Sequence, residues 1–156
     1  MTLRLPLTRC FVLIASILLA ACSQELPAPV EIEPADMCSY CRMAISEKRY
    51  AAEFLDKQGE AYKFDDVGCM KCYVQNKQIG QKSATWFVVD YESKQWLRGP
   101  QASFVRSDQF KTPMSGGIVA LKEKGRAEQL ASQTHGAVLT FAEVFDLRPS
   151  TFDLRP

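Results

Sequence analysis

The sequence has very little histidine, since His135 is the single one among its 156 residues. One imidazole cannot build the catalytic zinc sites that rest on several histidines. The chain also lacks a glycine-rich phosphate loop, a recognisable serine–histidine–aspartate arrangement and a carboxylate pair set for acid–base catalysis. We therefore predict that the protein is not an enzyme.

Charge of one predominant sign is also missing. The 19 basic and 18 acidic side chains nearly cancel, and the formal charge is −1 once the first 21 residues are set aside. Such a balance gives no electrostatic attraction to nucleic acid or to an anionic membrane surface. Apolar residues make up 47% of the chain, which is enough to bury a core and excludes a disordered protein.

The first 21 residues have the parts of a bacterial lipoprotein signal peptide. Two arginines precede the apolar run 11–19, which is shorter than the about 20 residues that span a bilayer. Residues 19–22 (LAAC) follow and resemble a lipobox, so we expect Cys22 to become the lipidated first residue of the mature chain. The lipid would anchor the protein without spanning the membrane. The alternative is an ordinary cleaved signal peptide with an incidental cysteine.

The mature chain is predicted to contain a tether, one domain and a tail. Ser23 stands where an inner-membrane retention signal would place aspartate, which points to the outer membrane of a Gram-negative cell. Residues 22–36 contain three prolines and no apolar period, so they predict an extended tether. The domain is expected at 37–148, and 149–156 should fray because it repeats the preceding segment FDLRP.

Hydrophobic periodicity predicts an α+β domain made of two similar β-β-α-β units packed together, at about 48–90 and 101–141. In the first unit, Asp65 or Asp66 caps a helix whose core stripe includes Met70. The predicted strands are 50–55, 60–64, 85–89, 102–106, 117–121 and 137–141, and the predicted helices are 65–76 and 122–133.

The chain has six cysteines. Cys10 would be removed with the signal peptide and Cys22 would carry the lipid, so four remain as candidate metal ligands or redox thiols. The four form two CxxC pairs, Cys38/Cys41 and Cys69/Cys72. This pattern is typical of a four-thiolate zinc site. Two disulfides are an alternative, because the compartment beyond the inner membrane is oxidising. A redox-active Cys38/Cys41 pair is a third interpretation, although no βαβ pattern surrounds it.

The methionines shift the expectation towards copper. Thioethers are poor zinc ligands, whereas together with thiolates they select a soft ion, above all Cu(I). Met114 lies in a Pro-Gly turn with no evident packing role, while Met70 lies on the core stripe and favours packing. His135 is either a helix-terminal residue or a nitrogen donor to copper. The candidate metal ligands are Cys38, Cys41, Met43, Cys69, Cys72 and Met114.

These motifs, in this order, resemble the NosL family of accessory lipoproteins for nitrous oxide reductase. The resemblance rests on the lipobox, the Cys-x-x-Cys-x-Met motif at 38–43, the segment FDDVGCM at 64–70 and the turn PMSGG at 113–117. It extends from Cys22 to residue 141 and covers nearly all of the mature chain. Ser115 stands where the family usually has glycine after the methionine.

The resemblance implies a lipid-anchored envelope protein, facing the periplasm, that binds Cu(I) and acts as a metallochaperone. Its implied client is nitrous oxide reductase, reached through a membrane transporter complex. The implied fold is a pair of β-β-α-β units similar to the organomercurial lyase core, in agreement with the predicted element order. Two alternatives stay open. One is a zinc-stabilised interaction lipoprotein that uses both CxxC pairs, and the other is an envelope thiol oxidoreductase that uses Cys38/Cys41.

Overall fold

The structure, a computed structural model, describes residues 27–145. The predicted signal peptide, the predicted lipidation site Cys22 and the predicted tail lie outside these residues. The described strands are β1 (Ala52–Asp56), β2 (Ala61–Phe64), β3 (Ala84–Val89), β4 (Trp96–Arg98), β5 (Ser103–Arg106), β6 (Ile118–Leu121) and β7 (Ala137–Leu139). The helices are α1 (Val67–Lys77), α2 (Lys124–Gln133) and α3 (Phe141–Phe145), with short 3-10 turns at Lys48–Tyr50, Gln81–Ser83 and Gly99–Gln101. Within residues 27–145, no helix combines the length and the apolar character that crossing a membrane demands.

The strands form two antiparallel sheets. Sheet one has the order β2-β1-β3-β4, and sheet two has the order β6-β5-β7. In each sheet the first strand along the chain lies between its hairpin partner and the strand that follows the helix. The β-β-α-β order therefore occurs twice, and the predicted α+β fold is confirmed. A parallel bridge between Asp90 and Ala120 joins the two sheets.

The main hydrophobic core is shared by both sheets and by helices α1 and α3. Phe54 and Trp86 of sheet one, whose ring centroids lie 5.2 Å apart, belong to this core together with Phe104 of sheet two. The next residue of β5, Val105, packs instead in a second cluster with Ala127 of α2. Sheet two therefore buries both of its faces, because successive side chains of a strand point to opposite sides.

Helix α1 begins where the sequence predicts. Asp66 is the N-cap, and its Oδ1 accepts the Cys69 N–H at 2.7 Å, which satisfies one of the free donors of the first turn. Val67, Met70 and Val74 are at most 2% exposed, so the predicted core stripe is confirmed. The cap and the stripe together determine where Cys69 lies.

Two elements differ from the prediction. The sequence did not predict strand β4, because its three half-buried residues are too few to show a hydrophobic periodicity. The predicted strand 137–141 is wrong at its end, since β7 stops at Leu139 and Phe141 begins α3. Thr140 and Glu143 form a reciprocal cap there: Thr140 N–H donates to Glu143 Oε2 at 2.7 Å, and Glu143 N–H donates to Thr140 Oγ1 at 3.3 Å. The T-x-x-E spacing is the sequence signal for this helix.

Residues 27–36, which we call the strap, lie against sheet one. Val30 N–H donates to Oε1 of the buried Glu53 at 2.9 Å. Lys63 Nζ donates to the Glu31 carbonyl and to the Asp36 carboxylate, both at 2.6 Å. In the part of the predicted tether that the structure describes, the chain is therefore docked on the domain and does not extend away from it.

Candidate metal centre

The first CxxC motif (38–41) forms a tight hairpin beside sheet one. Cys38 N–H donates to the Met43 carbonyl at 2.8 Å, which closes the hairpin. Ser39 N–H donates to the Lys63 carbonyl of β2, also at 2.8 Å. Because β2 leads directly into α1, these backbone hydrogen bonds hold the first cysteine pair next to the start of that helix.

Three thiols and one carboxylate meet at this point. The Sγ atoms of Cys38, Cys41 and Cys69 and a carboxylate oxygen of Asp65 all lie within 4.8 Å of one another. Cys38, Asp65 and Cys69 are at most 2% exposed, whereas Cys41 is half-buried. No disulfide links any cysteine between residues 27 and 145. We call these four residues the thiol group; it is a buried cluster that solvent reaches at Cys41.

The thiols of the group differ in protonation. The Cys69 thiol donates a hydrogen bond to Cys38, which lowers the pKa of Cys38 to about 6. The same hydrogen bond raises the pKa of Cys69, and burial adds to this effect. Burial also raises the pKa of Cys41. Cys38 is therefore the thiol of the group that loses its proton most readily, and a metal ion that binds there would displace the protons of Cys41 and Cys69.

The two neighbouring aspartates have different surroundings. Asp66 is the helix cap described above, whereas Asp65 faces the thiols. Asp65 Oδ2 accepts from Cys41 Sγ at 3.5 Å, and the buried Asp65 Oδ1 has no hydrogen-bond partner. Among the ion pairs of the described residues, none includes Asp65. The prediction that these acids serve as a helix cap therefore holds for Asp66 alone.

The turn that carries Met114 reaches the same end of α1. Asp66 Oδ2 accepts the Met114 N–H at 3.0 Å, so one carboxylate binds the backbone of both Cys69 and Met114. Gly68 and Gly116 approach so closely that a Cβ on Gly116 would lie 3.2 Å from the Gly68 Cα. The backbone of the turn is thus held against the helix, while the Met114 side chain is 43% exposed.

The predicted ligands do not all meet in the thiol group. Cys72 lies outside it, because three residues beyond Cys69 on a helix is about 4.5 Å further along the axis, away from the N-terminal turn. Met43 and Met114 are 54% and 43% exposed, so both thioethers face solvent. His135 is exposed at a left-handed φ of 50° after α2, and it is not part of the group.

Asp65 and Met37 are the two candidates that sequence reasoning missed. A helix needs only one N-cap. The two successive aspartates before α1 were therefore the sequence signal that one of them has another role. Met37 is 49% exposed and pairs with Ala44 in the hairpin that holds Cys38. Within residues 27–145, three of the five exposed large apolar side chains are methionines on segments that hold the thiol group: Met37, Met43 and Met114.

The comparison with known proteins decides the family. A sequence profile of the NosL family matches residues 29–147, which is most of the chain. The chain belongs to the NosL family. The crystal structure of the copper chaperone NosL from Shewanella denitrificans has the same fold at 18% sequence identity, with a TM-score of 0.68, and the match covers 76% of this chain and 96% of that chain. No curated protein matches the chain in sequence. The resemblance drawn from the motifs is therefore confirmed.

The turn 113–117 of this NosL protein requires left-handed backbone at two positions. Ser115 has a φ of 56°, a conformation that glycine adopts at little cost and other residues adopt rarely. Gly117 has a φ of 61°, and a Cβ there would come within 2.6 Å of the Ser107 carbonyl oxygen. The first position tolerates serine, whereas the second has no space for a side chain.

Proposed function

We propose that this NosL protein is a Cu(I) metallochaperone of the cell envelope that supplies copper for the maturation of nitrous oxide reductase. The observation that carries the proposal is the convergence of the Cys38, Cys41 and Cys69 thiols, with exposed thioethers on the adjoining segments. Thiolate and thioether sulfur select Cu(I) over harder ions. Family membership and the fold shared with the Shewanella copper chaperone support the same cargo.

The arrangement suits a protein that must both hold copper and release it. Cys38, a buried thiol whose pKa is lowered by the hydrogen bond from Cys69, offers a strong ligand. Met43 and Met114 offer weaker sulfur ligands that solvent and a partner can reach. A low coordination number lets the sulfur ligands of an acceptor replace those of the donor one at a time. Copper would stay bound to soft sulfur ligands throughout the transfer between the surface thioethers and the interior thiolates.

Membrane anchoring belongs to the same proposal. Lipid on Cys22 would confine the protein to a membrane surface and raise its effective concentration near a membrane-bound transporter complex. That complex, in this proposal, connects the chaperone with the reductase. The protein itself performs no covalent chemistry, since its role is ligand exchange at a metal ion.

A Cu(I) titration of the reduced protein against a Cu(I)-specific chelator tests the site. Cys38→Ser and Cys69→Ser each remove a ligand and should weaken binding by at least about tenfold, the scale on which changes around a metal site act. Cys72→Ser is the matched control. It makes the same thiol-to-hydroxyl change on the same helix as Cys69, but outside the thiol group, and should bind like wild type.

Two results would overturn the proposal at different levels. Wild-type Cu(I) affinity in both Cys38→Ser and Cys69→Ser would refute the site. A normal copper content of nitrous oxide reductase in copper-limited cells that lack this protein would refute the client while leaving copper binding intact.

The two alternative functions have less support. A four-thiolate zinc site needs Cys72, which lies outside the thiol group. A thiol oxidoreductase needs Cys38 to attack the disulfide of a partner. The lowered pKa of Cys38 suits a nucleophile, but its side chain is 0% exposed and out of reach of such a partner.

A further inference from the structure

The strap covers the outer face of sheet one. A row of direct cross-strand partners crosses this face, one from each strand: Lys63, Glu53, Phe87 and Arg98. Their chain neighbours Phe54 and Trp86 belong to the main core, so the row lies on the opposite side of the sheet. Phe87 is 2% exposed although neither hydrophobic cluster includes it, and it lines a small cavity together with residues 27–29. The strap therefore shields this row from solvent.

The strap is held by side chains of the sheet and not by a strand ladder. Within residues 27–36 no residue belongs to a strand or a helix. Arg98 Nη2 donates to the Pro27 carbonyl at 2.6 Å, and Val30 N–H donates to Glu53 Oε1 at 2.9 Å. A segment fixed by a few contacts of this kind can open locally while the domain stays folded.

Glu53 is the contact that depends on protonation. It is 0% exposed, and its Oε2 has no hydrogen-bond partner. Burying an ionised carboxylate without a paired cation is much more costly than burying the protonated form. Lys63 lies directly opposite Glu53, but its Nζ pairs with the Asp36 carboxylate at 2.6 Å. The docked strap thus both excludes water from Glu53 and engages the base that faces it.

The other charged groups around Glu53 do not compensate for this loss. Glu31 and Asp36, both on the strap, are acids that disfavour a further negative charge. Lys48 is paired with Glu31, and Arg98 is bound to the strap backbone two strands away. Burial raises the pKa of Glu53, and the two acids add to the shift. The docked strap therefore favours the protonated form of Glu53.

We propose that the strap is a latch that docks on sheet one while Glu53 is protonated and opens when Glu53 ionises. In the open state, water reaches the carboxylate, and Lys63 is released from Asp36 and can pair with Glu53 across the two strands. The protonated carboxyl thus stabilises docking at low pH. This contribution is lost as pH rises through the pKa of Glu53 in the docked state.

Opening the latch would change how far the domain reaches from the membrane, a consequence that rests on the lipid anchor of the proposed function. With the strap docked, the five Cα-to-Cα steps from Cys22 to Pro27 span at most about 18 Å. Opening frees the chain as far as Asp36, whose carbonyl accepts the Ile45 N–H at 3.0 Å. The fourteen steps from Cys22 to Asp36 span at most about 50 Å. Proton uptake by Glu53 would therefore draw the domain towards the bilayer.

Hydrogen exchange of the mature protein at a series of pH values tests the latch. After correction for intrinsic exchange rates, the protection of the strap amides should fall above about pH 4, by up to about tenfold per pH unit, until the docked Glu53 is ionised. Strap amides should be less protected than those of β3 and should respond less to added urea, because local opening exposes little surface. Equal protection of strap and β3 with equal urea dependence would overturn the proposal, since the strap would then open only when the whole domain unfolds.

Glu53→Gln separates the charge from the contact. Glutamine keeps an oxygen for the Val30 N–H but cannot ionise, so strap protection should lose its pH dependence. Glu128→Gln makes the same change at an exposed position of α2 and should behave like wild type. A wild-type pH profile in Glu53→Gln would refute the role of Glu53.

Arg98→Gln is an independent variant that leaves Glu53 unchanged. It removes the contact with the Pro27 carbonyl, so strap protection should fall by the same factor at every pH value. Unchanged strap protection in Arg98→Gln would show that the side-chain row does not hold the strap.

Neutron reflectometry of the lipidated protein on a supported bilayer measures the gap between domain and membrane. The gap should widen between about pH 4 and pH 8 in wild type and stay narrow in Glu53→Gln. A constant gap together with pH-dependent strap protection would refute the longer reach and leave the latch intact. Failure of the protein to attach to the bilayer would refute the anchor of the proposed function, whereas the exchange experiment needs no membrane and decides the latch by itself.

Discussion

Two methionines, Met70 and Met114, have opposite environments in this protein. Met70 is fully buried on the inner face of α1, where it fills the main core. Met114 has a backbone held by Asp66 but a side chain that is 43% exposed. Burial explains Met70 through packing alone. The exposure of a large apolar side chain on a held turn is a reason to look for a role in its sulfur.

Met114→Leu separates ligation from packing. The substitution keeps the volume and the apolar character but removes the sulfur, so the free energy of unfolding should change by less than about 1.5 kcal/mol. Cu(I) affinity should fall, because a thioether ligand is lost. Chelator competition measures the affinity, and urea unfolding measures the stability.

Met70→Leu is the control for this prediction. It makes the same chemical change inside the core, where the side chain is 0% exposed, and should leave Cu(I) binding intact. Identical Cu(I) affinities of wild type and Met114→Leu would remove Met114 from the site and leave the three cysteines with Met43.

At the scale of elements, the site is the meeting point of a hairpin, a helix start and a turn. The hairpin 37–44 precedes sheet one, α1 follows β2, and the turn 112–117 precedes β6. Asp66 joins the last two through its two carboxylate oxygens. The close approach of Gly68 and Gly116 leaves no space for a side chain between them without local movement.

Asp66→Ala should weaken both the helix and the site. Losing an N-cap and a hydrogen bond to the turn should lower the free energy of unfolding by about 1–3 kcal/mol. Cu(I) affinity should fall as well, because Cys69 and Met114 lose their common anchor. Asp108→Ala, at an exposed aspartate after β5, should change stability by less than about 0.5 kcal/mol. Equal unfolding midpoints of the two variants would contradict the anchoring role.

The strap places a second carboxylate in an unusual environment. Glu53 is 0% exposed beneath the strap, and Oε2 has no hydrogen-bond partner. Burial raises the pKa of Glu53; the Val30 N–H and Lys63 oppose the shift, while Asp36 and Glu31 add to it. The folded-state pKa thus lies above the unfolded value. Glu53 therefore contributes stability below that unfolded value, and the contribution is lost as pH rises through the folded pKa.

Glu53→Gln should remove this pH dependence. Glutamine keeps an oxygen that can accept the Val30 N–H but carries no charge. The stability of the variant relative to wild type should therefore increase between about pH 4, near the ordinary glutamate pKa, and pH 8. Thermal unfolding at a series of pH values measures it. A difference between the two proteins that is constant over this range would show that Glu53 has the same pKa in both states.

At the scale of the whole molecule, the docked strap limits how far the domain can lie from the predicted lipid anchor. Four residues, 23–26, separate Pro27, where the described chain begins, from Cys22, the predicted lipidation site, so five Cα-to-Cα steps join the two. A fully extended chain of that length spans at most about 18 Å. If Cys22 carries the predicted lipid, the docked strap would therefore keep the domain close to the bilayer surface.

Cys22→Ser tests this relation. The variant cannot accept the diacylglycerol, so it should lose its membrane attachment and appear in the soluble envelope fraction. Cys72→Ser, which changes a cysteine of the domain, should stay with the membrane fraction. Retention of Cys22→Ser on membranes after a high-salt wash would show that the lipobox is not the anchor.

The sequence alone determined the α+β class, the two β-β-α-β units, the start of α1 at Asp66 and the core stripe through Met70. These are local properties, because capping depends on residues three apart and burial follows the period of a helix or strand. The family motifs were readable for the same reason. Short or irregular elements such as β4 were not, since three residues carry no periodic signal.

Only the tertiary structure decided which side chains share the site. It includes Asp65 in the thiol group and leaves out Cys72, because the hairpin meets the first turn of α1 and not the second. It brings Met114 to Asp66, 48 residues earlier in the chain. It docks the strap on Glu53. Each of these contacts depends on how sheets and helices pack, and residue spacing along the chain carries no information about packing between distant segments.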